Sequence, residues 1–217
     1  MGELEALPLK NNQGEPLVHK FYTQGKQAKG LAVFFPGSHY GVDGPALYYP
    51  RELMDHAGWD TLAITYGYQS RAEPFTTEQI PGILRECAAG MRDFLSERQY
   101  ARIVMIGKSL GCGVVAFLAQ TEEDLKEALT IYLTPPLGTP AFDPMFAMTH
   151  QPALVALGSD DRFYNPEAIQ ALQDKRDFDL VLIEGVDHSF DKPGDMATSL
   201  RAVETVTEKI FDFVTNL

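Results

Sequence analysis

The run Ile103 to Ala119, IVMIGKSLGCGVVAFLA, is apolar except for Gly107-Lys108-Ser109-Leu110-Gly111 in its middle. Ile103 to Ile106 carries β-branched and sulfur-containing side chains and reads as a strand buried on both faces. Gly113 to Ala119 is apolar on nearly every side and reads as a helix in the middle of a domain. The interruption is therefore a strand-to-helix turn. Small residues flanking a serine on such a turn let its hydroxyl stand out above a sheet, which makes Ser109 a candidate nucleophile.

A serine hydroxyl attacks only when a base takes its proton, and the base needs a carboxylate to hold its tautomer and its charged form. Of five histidines, His19 and His56 lie in segments that read as strand and helix surface and are expected to be solvated. His188, in LVLIEGVDHSF, follows a strand by a few residues, where a loop opens over the carboxyl edge of a sheet. It is the candidate base. His150 is a poor second, and His39, after FFPGS, is placed to line the site. The acid is expected from ALVALGSDDRF, an apolar strand followed by Asp160 and Asp161. Only one of these neighbours can face His188, and the residue pattern leaves open which.

The elements that must position these groups alternate. Leu4 to Leu9 and Leu17 to Tyr22 flank NNQGEP as an antiparallel hairpin. The buried strand GLAVFFPG follows, then a helix around Ala46 to Ala57 and a strand over Thr61 to Thr65. A helix from Glu78 to Glu97 carries Ile80, Ile83, Leu84, Cys87, Met91, Phe94 and Leu95 at helical spacing. Beyond the serine turn come strands at Ala128 to Leu133, Ala153 to Leu157 and Leu180 to Glu184, a helix near Pro166 to Gln173, and a closing helix from Met196 to Phe213. Such alternation predicts one α/β domain over 1–217, with a mostly parallel sheet covered by helices on both faces. Ligands of such sheets sit at the carboxyl ends of the strands.

Together, Gly107-Lys108-Ser109-Leu110-Gly111, GSDD and GVDHSF, in the order serine, acid, histidine, resemble the α/β-hydrolase family over nearly the whole chain, and in particular its small lidless esterase, thioesterase and dienelactone-hydrolase members. The resemblance implies a Ser109, His188, Asp161 triad, since the family's Gly-x-x-Asp spacing falls on Asp161. It also implies an oxyanion hole from the backbone N–H groups of Leu110 and Ser38, although Pro36-Gly37-Ser38 replaces the common His-Gly start of that loop. The implied chemistry is acyl transfer to water through an acyl-enzyme, with no cofactor and no metal. No His-Glu-x-x-His, no Cys/His cluster at ligand spacing and no dinucleotide fingerprint occurs in the sequence.

Between Pro136 and Pro152 only Leu137 to Gln151 intervene, too few for a large lid. Phe142, Met145, Phe146 and Met148 there are expected to roof a shallow apolar pocket. Tyr40, Tyr66, Phe146 and Phe163 are the candidates for lining the substrate site, with Tyr68 and Tyr164 nearby. Lys108 and Arg162 are expected to be solvated flanks of the nucleophile and the acid.

The 217 residues are 45% hydrophobic and 22% charged, an ordinary globular balance, with a formal net charge of -12. That charge repels nucleic acid and anionic membranes, so a small-molecule ester or thioester is the expected partner. Cys87 and Cys112 sit in apolar helical patterns and predict free thiols in a reducing compartment. The first twenty residues hold no apolar leader, and no run reaches membrane-spanning length, which predicts a cytoplasmic protein. Three functional classes remain open from the sequence: a hydrolase of small esters or thioesters, an acyltransferase or amidase on the same triad, and a non-catalytic binding module on the hydrolase scaffold. Oligomeric state is not legible.

Overall fold

The computed structural model describes residues 1–7 and 19–216. Its strands are β1 (Glu3–Glu5), β2 (Lys20–Thr23), β3 (Leu31–Phe35), β4 (Asp60–Ala63), β5 (Ile103–Lys108), β6 (Leu129–Leu133), β7 (Ala153–Gly158) and β8 (Asp179–Ile183). They form one sheet in the order β1-β2-β4-β3-β5-β6-β7-β8. β1 and β2 run antiparallel, with Glu3 opposite Thr23, and β2 is antiparallel to β4. From β4 to β8 every pairing is parallel. The predicted hairpin is thus present as a strand pair; its turn, at 11–16, lies outside the described residues.

The helices are α1 (Pro45–His56), α2 (Gly67–Ser70), α3 (Ile80–Ser96), α4 (Leu110–Thr121), α5 (Asp143–Ala147), α6 (Pro166–Gln173) and α7 (Met196–Asn216). Two apolar cores result, one on each face of the sheet. On one face, Val33, Phe35, Met105, Tyr132 and Val155 pack against α3 and α4. On the other, Phe34, Val104, Ile106, Ile131 and Leu154 pack against α1 and α7. β3 is buried along its whole length, and β5 everywhere but at Ile103. Strands covered on both faces must be continuously apolar, which is why these segments read so plainly.

The segment between β6 and β7 forms no roof. Phe142 and Phe146 turn inward, their rings against Tyr132 at centroid distances of 6.0 and 4.8 Å. α5 is thereby fastened beside α4, and Gln120 Nε2 donates to the Met145 carbonyl at 2.7 Å. Burying two phenylalanines is worth several kcal/mol more than leaving them over solvent, roughly 2–3 each, and this overrides a pocket-lining role.

At the centre lies the β5–α4 turn. Ser109 has φ 52° and ψ −109°, a conformation that L-residues avoid. The sharp turn needs two backbones in near contact. A Cβ on Gly107 would lie 2.3 Å from the Gly111 carbonyl oxygen, and one on Gly111 would lie 2.2 Å from that of Phe35. Gly111→Ala should therefore destabilise the protein by about 1–3 kcal/mol through overpacking. Gly90→Ala, in α3, where an added Cβ meets nothing within 4 Å, should stabilise by about 0.5–1 kcal/mol. Denaturant midpoints of the two variants check this, and opposite signs are expected.

Candidate active site

β5, β7 and β8 end on the same edge of the sheet, and each hands one side chain to a common point. The elbow carries Ser109 there. The loop after β7 carries Asp161, whose side chain is fully buried. The loop after β8 carries His188, with one fifth of its side chain exposed. His188 Nε2 lies 2.9 Å from Ser109 Oγ, and its Nδ1 lies 3.0 and 2.9 Å from the two Asp161 carboxylate oxygens. A carboxylate only accepts, so the tautomer that fits both contacts carries its proton on Nδ1 and leaves Nε2 to accept from Oγ.

The two adjacent aspartates separate by turn geometry. Asp161 also accepts from the Phe163 N–H at 2.9 Å, which fixes the carboxylate from behind. Asp160 is exposed and its carboxylate accepts from the Ser159 hydroxyl at 3.2 Å. The histidine loop is a tight turn in which the Asp187 carboxylate accepts from the N–H groups of Ser189 and Asp191. Phe190, fully buried at φ 63°, anchors this turn in the core beneath. Phe163 approaches His188 edge-on at 5.4 Å and is partly exposed.

Facing the serine is the loop after β3. A Cβ on Gly37 would lie 3.5 Å from Ser109 Cβ. Three successive carbonyls of this loop are held by three side chains at and around α2: Pro36 by the Tyr66 hydroxyl (2.9 Å), Gly37 by Gln69 Nε2 (3.0 Å) and Ser38 by the Tyr68 hydroxyl (2.8 Å). A planar trans peptide sets its N–H opposite its carbonyl. Holding the Gly37 carbonyl therefore turns the Ser38 N–H away from α2. Among the described residues neither the Ser38 nor the Leu110 N–H meets a protein acceptor. The Leu110 N–H opens α4, at the end of the helix that favours negative charge.

Several expectations change. Tyr66 and Phe146 are fully buried and offer no surface to a ligand; Tyr66 holds the Pro36 carbonyl, and Phe146 packs the core. Tyr40 is only partly buried, and its hydroxyl accepts from the Ala46 N–H at 2.9 Å. Arg162 is exposed, as expected, and stacks 4.9 Å over the Phe163 ring. Lys108 is not solvated: it is 1% exposed, and burial pushes its ammonium pKa down to about 8. The overlooked signal was parity, since Lys108 stands on the same face of β5 as the buried Val104 and Ile106. Gln69 had no such signal, because its role depends on which loop α2 lies against. Cys87 and Cys112 are buried free thiols.

The remaining histidines stand apart from the triad. His39 is exposed, its Nδ1 3.2 Å from Ser38 Oγ, and His56 and His150 are exposed. His19 is not the solvated residue expected. It is largely buried, and its Nδ1 accepts from the Thr65 N–H at 3.0 Å. No described group of three or more His, Cys, Asp or Glu residues is arranged to hold a metal, and no described helix is long and apolar enough to cross a membrane.

Residues 32–215 match the family model described as an alpha/beta hydrolase domain. The chain belongs to the α/β-hydrolase family. Among solved structures it is similar to Est1E of Butyrivibrio proteoclasticus, determined with ferulic acid bound, at a TM-score of 0.75 and 17% identity over 97% of this chain and 100% of that one. A serine hydrolase without lid from Xanthomonas campestris aligns at 0.69 and 18% identity, over 98% and 95% of the two chains. An esterase of Pyrococcus furiosus aligns at 0.76 and 12%, over 99% and 91%. No curated protein matches. At these identities the structural likeness establishes the fold of this α/β-hydrolase, including its lidless form.

Burial lowers the His19 pKa from 6.5 to about 4. Above pH 6.5 both folded and unfolded states are neutral there. As pH falls from 6.5 towards 4 the unfolded chain takes up a proton that the folded chain refuses, so stability falls, at most by about 1.4 kcal/mol per pH unit. Unfolding free energies measured at several pH values should show this slope reduced in His19→Gln, whose amide oxygen can still accept from Thr65.

Proposed function

We propose that this α/β-hydrolase cleaves small carboxylic esters or thioesters through Ser109, His188 and Asp161 and a covalent acyl-enzyme. The observation that carries the reading is the unbroken relay from Ser109 Oγ through both ring nitrogens of His188 to the Asp161 carboxylate, at 2.9, 3.0 and 2.9 Å. Oγ attacks the substrate carbonyl while its proton passes to Nε2. The resulting imidazolium is stabilised by the buried carboxylate of Asp161. The carbonyl oxygen becomes an oxyanion between the Leu110 and Ser38 N–H groups, each such donor being worth about 3–4 kcal/mol in the transition state. Nε2 then returns the proton to the leaving alcohol or thiol. Water, activated by the same nitrogen, releases the acid and restores the Ser109 hydroxyl.

The strained serine supports this reading. Holding a non-glycine residue at positive φ costs about 1–3 kcal/mol and persists where a turn must expose one side chain. The open site supports small or extended substrates in place of one enclosed acyl chain, because α5 covers the core and not the serine. Phe163, beside His188 and partly exposed, and Tyr40 remain as contacts for the substrate. Est1E, with ferulic acid bound, and the esterase of Pyrococcus furiosus agree with this class of substrate.

A fluorophosphonate probe together with a panel of ester, thioester and amide substrates tests the reading. Ser109→Ala should remove both labelling and turnover with the fold intact, since the hydroxyl supports no packing. Full labelling of that variant would overturn the nucleophile. Asp161→Asn should lower the rate by about 10⁴-fold by favouring the wrong imidazole tautomer. Asp160→Asn, exposed and remote from the imidazole, should retain most activity. A larger loss for Asp160→Asn than for Asp161→Asn would refute the assignment of the acid.

A further inference from the structure

Lys108 precedes the nucleophile, yet its side chain points away from solvent, under the loop that carries His188. Its ammonium donates to the backbone carbonyl of His188 itself at 2.7 Å and to Thr134 Oγ1 at 2.8 Å. The Nζ also stands 4.6 Å from the centre of the Tyr40 ring, whose hydroxyl is tied to the start of α1. One buried cation thus joins the ends of β5 and β6, the loop after β3 and the loop after β8. Among the described residues it forms no ion pair, and the carboxylates of Asp161 and Asp187 act on it only through space.

Such a group is poorly chosen for stability. A buried ammonium loses its hydration, and an apolar side chain of similar length fills the same space without that loss. Its partners are informative in a second way. Of the other bonds of the histidine loop, those in which the Asp187 carboxylate accepts from the N–H groups of Ser189 and Asp191 are internal, and those of Gly185 N–H to Ser159 Oγ and of Asp160 N–H to the Val186 carbonyl run to the segment after β7. Together with the buried Phe190 they fix the shape of the loop and hold it to the core and to the end of β7, but none of these hydrogen bonds is made to β5. The bond from Lys108 to the His188 carbonyl joins the loop directly to the strand that bears Ser109.

We infer that Lys108 is a positioning residue for the reaction proposed above, pinning the main chain of His188 to β5 and so fixing the gap between His188 Nε2 and Ser109 Oγ. The inference rests on that reading for its catalytic consequence, while the pinning itself does not depend on it. Charge-assisted bonds are short and directional, and an ammonium can satisfy two oxygens and face a ring at once, which no neutral side chain of this length does.

The test compares the parent protein with Lys108→Met, which keeps the chain length and removes the donors. Hydrogen exchange at the Ser189, Phe190 and Asp191 amides should become about tenfold faster, as expected for loss of one charge-assisted bond. With the most active ester of the panel, kcat should fall by about 10²-fold, the scale of an ångström-sized misplacement, and KM should stay within about twofold, since no substrate contact is lost. Unchanged exchange at the three amides would overturn the inference, whether or not kcat falls. Faster exchange with kcat unchanged would overturn the catalytic consequence. If the parent neither labels with fluorophosphonate nor turns over any ester, faster exchange still supports the pinning, and the failure belongs to the functional reading. Should Lys108→Met not fold, Thr134→Ala, which removes one of the two oxygens that hold the ammonium, should move the same amides and kcat in the same directions by smaller factors.

Discussion

Ser109 can keep φ 52° only while the backbones around it are locked, and the rest of the site is arranged about that constraint. The lock is steric: α4 rises from β5 so steeply that Gly111 touches the carbonyl of Phe35 and Gly107 touches that of Gly111. Any side chain at either glycine would push the helix off the sheet. The same crowding brings the loop after β3 against Ser109 and leaves the first N–H of α4 without a partner. A strained serine and an unpartnered donor at the start of α4 are two results of a single close approach.

Around that turn the protein relies on main-chain carbonyls as handles. Tyr66, Gln69 and Tyr68 each hold one carbonyl of the loop after β3, and Lys108 holds the carbonyl of His188. Gripping a carbonyl fixes a whole peptide plane, including the N–H on its far side, without occupying the space where a substrate would bind. This explains why aromatic residues that look like pocket lining are buried. The phenols of Tyr66 and Tyr68 are used as hydrogen-bond donors from behind the loop, and burial raises the pKa of both, so they stay protonated and able to donate.

The lidless form has a similar physical origin. The short segment between β6 and β7 carries two phenylalanines, and the sheet offers them Tyr132 and a gap beside α4. Filling that gap removes more apolar surface from water than shading an open site would. Phe163, beside His188, and the exposed His39, beside Ser38, are left at the surface near the serine, and the Xanthomonas campestris serine hydrolase that shares this fold is likewise without a lid.

What the sequence determined by itself follows from periodicity and local sterics. The continuous apolar runs of β3, β5 and β7 could only be strands covered on both faces, the spacing in α3 and α7 could only be one-sided helices, and glycines around a serine between strand and helix could only be a sharp turn. The order of serine, acid and histidine carried the family resemblance, because each stands just past a strand that ends on the same edge. Tertiary structure decided the rest. Asp160 and Asp161 are indistinguishable in composition and differ only in which way one turn aims them. Lys108 looks like a surface charge unless the packing beneath the His188 loop is known. Tyr66 and Phe146 carry the same aromatic signal as Phe163, and only the shape of the core decides that two are covered while the third stands at the site. Local sequence fixes what a residue can do; which neighbour it meets depends on contacts between segments far apart in the chain, and no spacing rule records those.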